Sequence, residues 1–190
     1  MTLRRGLVFG VLTAAGVVLA WLLFVGLPRW YGPPAKASAA KAPATPVPAG
    51  RKIKARLYYV SNDGWHLTGV ERDVAFGEGP AAQAQEIVNA QIAPVSEPLV
   101  SAVPAGTKLR ALYVTEHGEA YVDLSPELVT AHSGGSLNEL LAVYTIVNAL
   151  TANLPAIKAV QLLVGGKEIE TLAGHVDLRR PLAKRLEWVQ

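Results

Sequence analysis

The chain has 190 residues, 51% of them hydrophobic, which gives room for one domain of ordinary size with an extension and excludes two large domains. Its formal charge of +3 is unevenly spread: residues 1–50 hold five basic residues and no acid, whereas residues 51–190 hold 13 basic against 15 acidic residues, a net of −2. The folded part therefore lacks the basic excess of a nucleic-acid module, and the absence of cysteine excludes disulfides, thiolate chemistry, cysteine-based zinc sites and an acylated lipoprotein cysteine.

Residues 1–5 read as a short cytoplasmic amino terminus. Residues 6–27 carry no charge over 22 positions, and at about 1.5 Å per residue a helix of that length spans roughly 33 Å, enough for a bilayer core. A cleaved signal peptide has a shorter apolar region, and the small-residue site Ala37-Ser38-Ala39 lies well beyond this one. An uncleaved signal anchor is expected, with Trp21, Trp30 and Tyr31 at the interface and the domain on the extracytoplasmic side. Residues 28–50 are rich in Ala and Pro without a periodic apolar face, so they read as an extended tether.

The domain, assigned to 51–181, opens with Ile53, Ala55, Leu57 and Tyr59 alternating with Lys54, Arg56 and Tyr58, the period of a half-buried strand. Ser61-Asn62-Asp63-Gly64 is turn chemistry. Trp65–Leu67 and Val70–Val74 form a small hairpin extension in this reading. Gly79-Pro80 starts a helix through Ile92 with Ala84, Ile87, Val88 and Ile92 inward, and Pro94 ends it. Lys108–Thr115 and Ala120–Leu124 flank Glu116-His117-Gly118-Glu119 as a β-hairpin.

Ser125-Pro126-Glu127 starts a short helical turn, and Gly134-Gly135 precedes a long helix from Ser136. Ser136 and Glu139 have the spacing of a capping box, and Leu137, Leu140, Leu141, Tyr144, Val147 and Leu150 gather on one face. A buried strand follows over Ile157–Val164, then a Gly165-Gly166 hairpin. Residues 182–190 read as a carboxy-terminal tail. The predicted class is α+β: a β-α-β-β-α-β sandwich with two helices packed on one face of a mixed sheet.

With the elements placed, the domain resembles the GerMN (sporulation and spore germination) family. The resemblance lies in Ala55–Val60, Val103–Thr107, Ala120–Ser125, Asn148–Thr151 and Thr171–Asp177, taken in order. It implies a membrane-attached bacterial envelope protein, here in the inner membrane with a single span, and protein assembly rather than catalysis. A single copy on a transmembrane helix sets this chain apart from lipid-attached and two-domain members.

His175 and Asp177 are separated by one residue, so on a strand they share a face and a possible hydrogen bond. Without a nucleophile or a third ligand they do not meet the criteria for a hydrolase or metal site. The reading preferred is a clasp in which Gly174 allows close approach while His175 and Asp177 tie the segment down. Asp123 is expected to bond the amides of the turn that follows it, the alternative being that it lines a groove. Trp65, Tyr58 and Tyr121 offer a stacking platform for a cell-wall glycan or small ligand, the alternative to a protein partner or self-association. No catalytic residue, metal or cofactor is assigned, and nucleic acid is not an expected partner.

Overall fold

A computed structural model describes Trp21 and residues 50–190. The membrane span expected at 6–27 and the tether expected at 28–50 thus lie outside the described residues, Trp21 and Gly50 apart. Among the described residues no helix is long and apolar enough to cross a membrane.

The first strands are β1 (Lys52–Val60) and β2 (Leu67–Ala75), paired antiparallel from Lys52↔Ala75 to Val60↔Leu67. Asp63 closes the turn by accepting the Trp65 and His66 amides at 2.8 and 3.3 Å. What the residue pattern suggested was a short extension is one unbroken nine-residue strand. The two strands form a sheet of their own and do not join the larger one.

The second sheet has the order β3 (Leu109–Val114), β4 (Glu119–Leu124), β5 (Ala159–Val164), with β6 (Lys167–Glu168) and β7 (Leu182–Ala183) both on the far side of β5. It is mixed: β3 and β4 form the expected antiparallel hairpin, and β4 and β5 run parallel from Glu119↔Ala159 to Leu124↔Val164. Parallel neighbours need a crossover. Here it comprises a four-residue helix, α2 (Glu127–Thr130), and the long helix α3 (Ser136–Asn153). Residues 182–190 are no loose tail, since they supply β7 and a parallel bridge between Val189 and Leu67.

Helix α1 (Gly79–Ile92) buries Ala84, Ile87 and Val88 as the periodicity requires. Helix α3 is buried around its whole circumference from Leu141 to Thr151 rather than on one face. The reason is its place: it contacts β1 of the first sheet, β5 and β7 of the second, and α1. The fold is α+β with a mixed sheet and few helices, and the strands fall into two sheets rather than one. Glycine 135 is the N-cap of α3, with φ 87, so Ser136 is already helical and the expected capping box is not formed. Glu139 has another task.

Candidate functional site

Glu139 is fully buried. Its carboxylate accepts the amides of Leu172 at 2.8 Å, His175 at 2.9 Å and Val176 at 3.2 Å. Burial pushes this carboxyl up, yet the converging amides outweigh it and hold it below its ordinary value. Gly174, at φ +96, lets the backbone curl so that amides on both sides of it point inward, and its own amide donates to Thr171 Oγ1 at 2.9 Å. Leu172 and Leu178 are buried at either end of the loop.

The clasp therefore exists, but it is made of backbone and one distant carboxylate, not of His175 and Asp177. Residues 170–181 are irregular rather than a strand, which removes the shared face on which that pairing rested. Both side chains are exposed. Asp177 is engaged by Arg179, whose Nε and Nη2 donate to it at 2.9 Å each and hold its carboxyl down to about 2. Among the described residues no group of three or more His, Cys, Asp or Glu side chains could hold a metal ion.

Asp123 also acts at long range. Its Oδ1 accepts the Gly166 amide at 2.7 Å and its Oδ2 accepts Arg110 Nε at 3.0 Å. It secures the β5–β6 turn rather than the turn after β4. There, Ser125 Oγ accepts the Lys108 amide at 2.9 Å.

The three aromatics do not form a platform. Trp65 is 65% exposed on the β1–β2 loop, Tyr58 is buried in the core, and half-buried Tyr121 lies in the second sheet. The cross-strand partner of Tyr121 is Tyr113, itself 67% exposed. A cleft of ≈830 Å³ opens elsewhere, between the end of α1, residues 99–109 and residues 131–133, with walls that include Ile92, Val95, Leu99 and Val103.

Residues that sequence reasoning missed cover part of the outer edge of β1. Asn153 of α3 accepts the Arg56 amide at 2.8 Å and donates to the Arg56 carbonyl at 2.7 Å. Gln91 of α1 does the same to Tyr58 at 2.8 and 2.7 Å. A side-chain amide carries one acceptor and two donors, so it substitutes for a neighbouring strand. Val60 is served by the Val100 carbonyl at 2.8 Å. On β7's side, Asn148 grips Arg185 through both backbone groups, at 3.0 and 2.7 Å. The visible signal was polar amides set among the apolar positions of both helices.

The outer edge of β2 is only partly covered. The Leu67 amide donates to the Trp188 carbonyl at 2.7 Å, and the Gln190 amide donates to the Leu67 carbonyl at 2.9 Å. Gln83 donates to the Ala75 carbonyl at 3.0 Å. Between them Gly69, Glu71 and Asp73 alternate outward and have no backbone partner among the described residues.

An α+β domain with a mixed sheet and a separate hairpin sheet whose β2 edge is partly open is the class these features define. The chain belongs to the sporulation and spore germination family (Germane), whose model it matches over residues 56–170. The match stops short of Thr171–Asp177, a stretch that entered the sequence resemblance. Among solved structures it is similar to a Clostridium perfringens protein described as a lipoprotein, with 22% identity and a TM-score of 0.50 over 70% of this chain and 88% of that one. It is also similar to the tandem GerMN domains of the sporulation protein GerM from Bacillus subtilis, with 17% identity and a TM-score of 0.54 over 70% of this chain and 46% of that one. At these identities the likeness is one of fold. A comparison with curated proteins gives no match.

Proposed function

We propose that this chain is a non-catalytic, membrane-anchored extracytoplasmic domain that mediates protein–protein assembly in the bacterial cell envelope, in the sporulation and germination setting its family description names. The observation that carries the reading is the open backbone edge at Gly69, Glu71 and Asp73, in a hairpin whose other edge is covered at Arg56, Tyr58 and Val60. Unpaired strand edges of this kind are templates for another chain. The uncharged stretch at 6–27 supplies the anchor, and one similar structure belongs to a protein described as a lipoprotein. The polar residues that drew attention as chemistry, Asp123 and Asp177, are committed to holding backbone or a neighbouring arginine.

Crosslinking in intact cells of the native host, followed by mass spectrometry, tests the assembly role. The expected product is a discrete heteromeric or homomeric adduct on the outer face of the inner membrane. Recovery of monomer alone under several crosslinking chemistries would overturn it. Digestion by protease added to spheroplasts checks the placement; a domain that stays protected is on the wrong side for this role.

A further inference from the structure

The outer edge of β2 already takes a one-residue bridge from the far end of the chain. Val189 pairs with Leu67 in parallel, through one bond to Trp188 and one from Gln190. The next three outward positions of β2 continue that lane and stand empty among the described residues, up to Ala75, where Gln83 closes it. Three residues carry three donors and three acceptors along about 17 Å of strand, enough for a five-residue segment.

We propose that the Gly69–Asp73 edge of β2 takes an extended segment of a partner protein as an added strand, with a basic residue opposite Glu71 and an apolar residue beside Val70. This rests on the assembly reading above and names the site and the chemistry it selects. Side chains on β2 alternate between two faces, so a strand in register faces Glu71 on one side and Val70 on the other. Glu71 is exposed and has no ion pair among the described residues, whereas Asp73 is held by Lys54 at 2.7 Å. Arg56, the cross-strand partner of Glu71, turns its side chain over Gly69 instead, where it lies within 2.9 Å of the position a Cβ would take. Val70 is half-buried and packs on the core, which suits an apolar neighbour.

A second copy of this chain fits less well. The antiparallel self-pairing that uses all three open positions is centred on Glu71 and sets it against its own copy, and like charges directly opposite are destabilising. Registers shifted either way run into the Val189 bridge at Leu67 or the Gln83 bond at Ala75.

The test uses the full chain in detergent and the labelled peptide acetyl-Lys-Val-Lys-Val-Lys-amide, read by fluorescence anisotropy. In the antiparallel register that sets the central lysine opposite Glu71, the three lysine amides face β2, and methylating them is expected to weaken binding about tenfold or more, because each lost backbone bond removes part of the affinity. Methylating the valine amides, which face away, leaves it unchanged. The glutamate-for-lysine peptide and the Glu71→Lys variant each weaken binding by a similar factor. Equal affinity for the two methylated peptides, or no effect of Glu71→Lys, overturns the proposal. Glu71→Pro removes an outward amide that the hairpin does not use, a position where an edge strand tolerates proline. If this variant and the unaltered chain crosslink the same partner in cells, the assembly reading stands and the β2 edge is the wrong site. If neither crosslinks any partner, the assembly reading fails, and the peptide titration still decides whether the edge accepts a strand.

Discussion

Glu139 and Leu172 lie 33 residues apart and meet at 2.8 Å, a buried carboxylate oxygen against a backbone amide. The same carboxylate takes two further amides, so a single side chain on the first turn of α3 fixes the loop that follows β6.

Glu139→Ala leaves three amides of that loop without their acceptor. At about 1–3 kcal/mol for each buried group left unpaired, and with water reaching some of them, a loss of at least about 2 kcal/mol is expected. Urea unfolding checks the total, and faster hydrogen exchange at Leu172, His175 and Val176 localises it. Unchanged exchange at those amides would contradict the assignment.

The same group predicts a pH dependence. Its folded pKa lies below the ordinary 4.5, so its stabilisation is complete above that value and is lost as pH falls through the depressed one. Asp63, Asp73 and Asp177 are depressed too and add a background of the same sign. The difference in unfolding free energy between the native chain and Glu139→Gln should therefore shrink on acidification. A difference independent of pH would show that Glu139 is not ionised in the folded state.

His175→Ala should leave the urea midpoint essentially where it is and Asp177→Ala should lower it only slightly, because both side chains are exposed and the loop is held through its backbone, while Asp177 bonds only the exposed Arg179. A large loss in either would restore the side-chain clasp.

Gln91→Ala should cost more than Asn153→Ala. Each removes a pair of bonds to β1, but Tyr58 is buried while Arg56 is open to water, which can replace what the asparagine supplied. Equal losses in urea titrations would mean that water reaches the Tyr58 backbone as well.

Two glycines provide a matched comparison. Gly118 and Gly166 both have positive φ, +88 and +79, so alanine at either costs about 1–2 kcal/mol in backbone conformation. At Gly118 the added carbon would also stand 2.6 Å from the Ala156 carbonyl oxygen, whereas at Gly166 the nearest atom is 4.0 Å away. Gly118→Ala is expected to be clearly the more destabilising.

Local physics was legible in the residues. Alternation marked β1, β3 and β4, proline and glycine bounded α1, and Gly165-Gly166 marked its turn. Partnerships across long separations were not. Nothing near Arg56 or Tyr58 indicates that Asn153 and Gln91 will act as their neighbouring strand, so the separation of β1 and β2 from the larger sheet is not visible in the residues. Ser136 and Glu139 have the right spacing for a cap, but the box fails once Gly135 takes the capping position, which frees the carboxylate for a loop a sheet away. Tyr58 looked outward because alternation sees one strand at a time, and the helices that cover its second face come later in the chain. Two-residue strands such as β6 and β7 are too short to carry a period at all.

The bridge between Leu67 and Val189 joins the first hairpin of the domain to almost the last residues described. A chain emerging amino end first makes β2 early, but its Leu67 groups stay bare until residues 188–190 arrive. The domain is thus knotted off by its own far end, and during synthesis or export the stretch from Leu67 to Asp73 forms a longer exposed ribbon than the finished molecule shows. Any partner or chaperone that reads strand edges meets its largest target in that interval.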